Sequence, residues 1–223
     1  LHLLIGIPLN AWVPKVRRVE SVAAEQELAT RSESDVADSP HSQRTAITLA
    51  FVFGCIWFVS TAMAAHMPLL LQASGVSLAV AVAASALIGP AQVGARMLEY
   101  GLLRRFHPLV SARLAAVMHP IGVAIFTIVG APAAAVFTIL YGAGNGILTI
   151  STGTLPLVLF GPHGYGQRQG LLIAPARIVQ ASAPWLFGLC INEWGAAAIW
   201  LSASLCLAAF AALMSLPKVV RAG

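Results

Sequence analysis

An all-helical integral membrane protein is the fold class this sequence predicts, and three observations predict it. Of the 223 residues, 58% are hydrophobic and only 9% are charged, where an ordinary soluble domain carries roughly 25% charged residues. The charges leave long gaps: no Asp, Glu, Lys or Arg lies in the 51 residues between Arg44 and Arg96, or in the 54 between Arg113 and Arg168. One helix crosses a bilayer core in about 20 apolar residues at about 1.5 Å rise each, so each gap holds two crossings and a turn. Ten of the 13 cations also fall on one side of the resulting map, as a membrane topology requires. A soluble core, a disordered chain and a coiled coil are excluded by the same pattern.

The first residues, 1–12, are apolar and run into Lys15, Arg17 and Arg18, the reverse of a signal peptide, whose basic residues come first. They are expected to be the tail of a membrane helix whose start is missing. Residues 13–44 are the polar stretch, with Glu20, Glu25, Glu27, Glu33, Asp35 and Asp38, and read as a flexible cytoplasmic linker. A six-span membrane domain over 45–216 follows, with crossings expected at about 45–71, 78–103, 108–129, 132–160, 169–192 and 196–216. Residues 217–223 form a short cytoplasmic tail.

Ten of the 13 cations lie in segments on one side of this map: Lys15, Arg17, Arg18, Arg31, Arg44, Arg104, Arg105, Arg168, Lys218 and Arg221. The opposite loops, near Gly75, Gly130 and Gly195, have no Lys or Arg. Because positive loops stay in the cytoplasm, both ends of the six-span region are placed there, in the cytoplasmic (inner) membrane. The net charge of +5 and pI near 9.6 are thereby read as topology and not as a nucleic-acid surface. Cys55, Cys190 and Cys206 show no metal or disulfide spacing, so neither a metal nor a cofactor is expected. Residues 161–166, Gly-Pro-His-Gly-Tyr-Gly, lack phosphate-loop order and read as a tight turn.

The chain also repeats. Leu87-Ile88-Gly89-Pro90-Ala91-Gln92-Val93 matches Leu172-Ile173-Ala174-Pro175-Ala176-Arg177-Ile178 at an offset of 85 residues, and Met67 to Leu71 matches Leu155 to Leu159 at nearly the same offset. Spans one to three thus echo spans four to six. An odd number of spans per copy inverts the second, an arrangement found in secondary transporters.

Six spans after a polar loop, built as two inverted triplets, resemble the C-terminal half of a major facilitator superfamily transporter. The strings carrying the likeness are Ala86 to Arg96, Gly144-Asn145-Gly146-Ile147-Leu148 and Ala174-Pro175-Ala176-Arg177. The resemblance covers essentially the whole chain and implies helices 7 to 12 plus the tail of helix 6. It also implies alternating access around a central site shared with an N-terminal six-helix half. The family's loop motif, Gly-x-x-x-Asp-Arg-x-Gly-Arg-Arg, is degraded here: Gly94, Glu99, Arg104 and Arg105 match its residue types, but the spacing from Glu99 to the arginines does not.

Candidate functional residues follow from helical spacing. Gln92, Arg96 and Glu99 share one face at i, i+4 and i+7, as do Arg177 and Gln180 on the fifth span. The readings of this set are an Arg96–Glu99 pair that neutralises itself, a gate against the absent half, or a direct substrate contact. A charge inside a span usually faces a bundle interior or a watery cavity. Tyr141, Asn145 and Thr149 form a polar stripe among Gly142, Gly144 and Gly146, a pattern that either lines a cavity or lets helices approach. Phe53, Trp57 and Ser60 share a face of the first span and read as a substrate contact or as packing. The resemblance places the first and fourth spans beside the central cavity. His66, His107 and His119 each stand just before or near a proline and read as lone polar residues, with a proton relay at His119 as the lesser reading.

The expected function is therefore movement of a small solute across the membrane, driven by an ion gradient with a proton among the candidate ions. The partners are the bilayer and the missing N-terminal half. A non-transporting or inactive truncated membrane protein is the alternative. An intramembrane enzyme is disfavoured, because Ser60, Ser151 and His119 show no activating arrangement.

Overall fold

A computed structural model describes residues 40–101, 105–162 and 165–216. The expected helix tail at 1–12, most of the linker at 13–44 and the tail at 217–223 lie outside them. The bundle belongs to the unit Arg44–Gly223. Every regular element among the described residues is helical: α1 (Pro40–Ala73), α2 (Leu78–Ala86), α3 (Ile88–Gly101), α4 (Pro108–Val129), α5 (Ala134–Phe160), α6 (Tyr165–Trp194) and α7 (Ala198–Ser215), with 3-10 turns at Ala131–Ala133 and Gly195–Ala197. Five helical runs among these residues are long and apolar enough to cross a membrane: Ser42–Ala73, Leu78–Gly101, Pro108–Val129, Ala131–Phe160 and Tyr165–Ser215.

Local chemistry sets the ends. Gly75, at φ 85°, closes α1 in a Schellman arrangement, in which Val76 N donates to Leu71 O at 3.1 Å and Gly75 N to Gln72 O at 2.9 Å. The Ser77 hydroxyl then caps α2 by accepting from Val80 N. His107 caps α4, its Nδ1 accepting from Leu109 N at 3.2 Å, with Pro108 in the first turn, where a missing N–H costs nothing. In the second turn of α4, Arg113 donates to Leu213 O at 3.1 and 2.8 Å and to Leu216 O at 3.0 Å. It thereby adds charge-assisted bonds at the C-terminus of α7, where Leu213 O otherwise has the 3.4 Å bond from Leu216 N and helical partners run out.

The helices differ from the expected spans in three places. α1 begins at Pro40, inside the stretch assigned to the linker. The second expected span is broken at Leu87 into α2 and α3. Pro90 supplies the reason: it has no N–H for the Ala86 carbonyl, so Leu87 N turns back to Ala84 O at 3.1 Å and the helix restarts with Ala91 N donating to Leu87 O at 3.0 Å. The last two expected spans are one helical run, Tyr165–Ser215, bent where Gly195 adopts φ 56°.

Two apolar clusters fill the bundle. One gathers residues such as Met63, Leu70, Ala84, Val123, Phe137, Phe187 and Ile199. The other gathers Leu49, Phe53, Ala95, Ala112, Leu155, Ala176 and Leu213. Along the chain, α1 goes from the second cluster to the first and α2 with α3 returns; α4 and α5 repeat the pair of passes, and so do α6 and α7. Successive segments therefore run in alternating directions. Arg44 in the first turns of α1, Arg105 before α4 and Arg168 in the first turn of α6 all sit at the end filled by the second cluster.

Candidate functional site

The middle of α5 organises the polar interior, and its glycines and polar residues have separate tasks. A Cβ on Gly142 would lie 2.7 Å from Ile88 O, and one on Gly146 would lie 2.7 Å from Gln92 O, both on α3. A Cβ on Gly144 would meet Ala115 O of α4 at 2.7 Å. These glycines let three backbones touch, the usual role of small residues in membrane bundles. The stripe Tyr141, Asn145, Thr149 turns gradually out of the same helix: Tyr141 is buried, Asn145 half-buried and Thr149 exposed.

Tyr141 donates its hydroxyl to Ser60 O on α1 at 3.1 Å. Thr149 donates to the backbone carbonyl of Asn145 at 2.7 Å within its own helix, and the Asn145 side-chain amide has no hydrogen bond among the described residues. A cavity of about 20 Å³ lies here, with Ser60, His119, Tyr141 and Asn145 as its polar lining. His119 was expected to stand alone. Its Nε2 instead lies 2.9 Å from Ser202 Oγ on α7, and its ring packs edge-on against Tyr141 at 5.4 Å between centroids. Sequence spacing could not find this group, because its members come from four helices.

Phe53, Trp57 and Ser60 do not form one surface. Phe53 is 1% exposed within the apolar cluster, Ser60 faces the small cavity, and Trp57 is half-buried. The Arg177 guanidinium sits 4.4 Å above the Trp57 ring and donates from Nη1 to Gln180 Oε1 at 2.8 Å. The expected Arg177 and Gln180 face thus exists, held against α1 by a cation–π contact. Arg177 is exposed and stands within roughly 4 Å of the middle of the 30-residue α6.

Gln92, Arg96 and Glu99 are similarly divided. Arg96 is exposed and Gln92 half-buried, while Glu99 is 8% exposed. Among the described residues no ion pair joins Arg96 to Glu99, and Glu99 Oε2 has no hydrogen-bond partner. The spacing i, i+3 put them on adjacent positions of α3, but packing turned one inward and the other out. His66 links α1 to α6, with its Nε2 2.8 Å from Pro184 O. A larger hollow of about 580 Å³ between α1, α6 and α7 is lined by apolar residues such as Ile47, Phe51, Phe58, Val179 and Leu205.

No family model and no curated protein matches the chain.

Proposed function

We propose that this chain is the C-terminal six-helix half of a secondary transporter of the major facilitator type, which moves a small solute across the cytoplasmic membrane by alternating access. In this reading α1, α2 with α3, α4, α5, α6 and α7 are six crossings in two inverted triplets, and the cationic end of the bundle faces the cytoplasm. Two facts support it: the alternating passage of the segments between the two apolar clusters and the repeat joining Leu87–Val93 to Leu172–Ile178.

The observation that carries the transport reading is Arg177. An exposed guanidinium near the middle of a membrane helix is costly, and its partners among the described residues, Trp57 and Gln180, are both neutral. A cation held in place yet left open is suited to a site that another body completes, here the second half and the solute between the two. Arg96, also exposed and nearer the cationic end, is assigned to the contact between halves.

The enzyme reading gains nothing from the contact of Ser202 with His119 in the interior. Ser202 donates its hydroxyl proton to Ile199 O at 2.7 Å, so its oxygen accepts from His119, the opposite of nucleophile activation.

The test is counterflow of a panel of labelled solutes into proteoliposomes holding the intact transporter. Asn145→Ala leaves a polar group without its partner at a cost of about 1–3 kcal/mol, which is about tenfold to a hundredfold in affinity. Arg96→Ala is expected to slow turnover at nearly unchanged affinity. Equal losses of affinity in both variants would defeat this division, and efficient transport by the present chain alone would replace the missing-half reading with a homodimer.

A further inference from the structure

The cavity beside Asn145, at about 20 Å³, is too small for any transported solute but admits one water, which needs roughly 10–15 Å³ of such space. Its chemistry is specific. A hydroxyl has one proton, and Ser202 donates its proton to Ile199 O. With that proton given to the shorter contact, the serine oxygen accepts at the 2.9 Å contact with His119, which assigns the ring hydrogen to Nε2. In the neutral ring Nδ1 is then a bare acceptor. It is buried, in a residue only 4% exposed, and has no hydrogen-bond partner.

His119 shares the cavity lining with residues that can satisfy a water. The Asn145 amide has unused N–H groups, the Tyr141 oxygen keeps its acceptor capacity after donating to Ser60 O, and Ser60, a hydroxyl-bearing residue, lines the same space. Buried waters typically make about three hydrogen bonds to otherwise unsatisfied groups, and an unpaired buried acceptor is unfavourable.

We infer that Ser60, His119, Tyr141 and Asn145 bind a single structural water that donates to His119 Nδ1 and accepts from the Asn145 amide. The water fixes His119 as the Nε2–H tautomer and sets the orientation of the Asn145 side chain. It also joins α1, α4 and α5 to α7 through Ser202. The assignment shares Asn145 with the transport reading, but its test reads the protonation and hydration of His119 and so can fail or hold whatever the transport assay shows.

The test is water-edited solid-state NMR of the full chain in lipid bilayers with 15N-labelled histidine, the His119 signals being assigned by their loss in His119→Gln. The expected result is an unprotonated, hydrogen-bonded Nδ1 that receives polarisation from water at short mixing times. Ser60→Val fills the cavity while keeping the backbone carbonyl that holds Tyr141, and should abolish that transfer. Should that variant fail to fold, Asn145→Leu fills the space from α5 with a side chain of similar shape and carries the same expectation. Absence of transfer in the unaltered chain, a proton on Nδ1 with Nε2 bare, or transfer that persists in the filled variant would each overturn the assignment.

Discussion

Replacing Gly146 by alanine tests how the bundle is held together. The new Cβ would lie 2.7 Å from Gln92 O and 3.0 Å from Gln92 Cα. Both are backbone atoms, so no side-chain rotation can relieve the overlap. Ordinary contact begins at about 3.4 Å, so α3 and α5 must part by roughly 0.7 Å, a gap that forfeits a quarter to a half of the dispersion energy of each affected atom pair. In a bilayer this packing is the main attraction between helices, since lipid tails are as apolar as the side chains they meet. Overpacking of this kind costs about 1–3 kcal/mol. Gly54→Ala and Gly89→Ala are the controls, because nothing lies within 4 Å of the added Cβ at either position. There the smaller entropy loss of alanine should stabilise the helix by about 0.5–1 kcal/mol. The assay is unfolding of the full chain in lipid nanodiscs followed by circular dichroism, with Gly142→Ala and Gly144→Ala run beside Gly146→Ala. If the three α5 variants were as stable as the two controls, the reasoning from backbone contact would fail.

Two further outcomes are expected. Arg113→Ala should destabilise the chain by about 1.5–3 kcal/mol through loss of its charge-assisted bonds to Leu213 O and Leu216 O, and Arg113→Lys should rescue only part of this in the same unfolding assay, because an ammonium cannot reproduce the fork. Reporter fusions after Arg105, Arg168 or Gly223 should report cytoplasm and fusions near Gly75, Gly130 or Gly195 the far side; a reversal at any middle loop would break the six-crossing map.

The amino-acid sequence by itself determined the class of the protein and the positions of its apolar helices, for a simple physical reason. Crossing a bilayer demands about 20 consecutive apolar residues, a requirement written in composition and in the gaps between Arg44 and Arg96 and between Arg113 and Arg168. Helical spacing also brought Arg177 and Gln180 together correctly, since both belong to one helix and their contact is local. The break at Leu87 is encoded in Pro90, but hydropathy does not show it, because the apolar run continues across it without interruption.

What only the tertiary structure decided is which face of each helix turns inward. In a membrane helix the lipid side and the packed side are both apolar, so periodicity does not separate them. Phe53 and Trp57 share a helical face by spacing, yet one is in the core and the other under Arg177. Arg96 and Glu99 part company in the same way. The contact of His119 with Ser202 and the bond of Tyr141 to Ser60 O join residues 83 and 81 positions apart, and the cavity shared by Ser60, His119, Tyr141 and Asn145 draws on three helices. Such groups meet only when four helices pack, and their meeting depends on glycines whose purpose appears once the opposing backbone is in place.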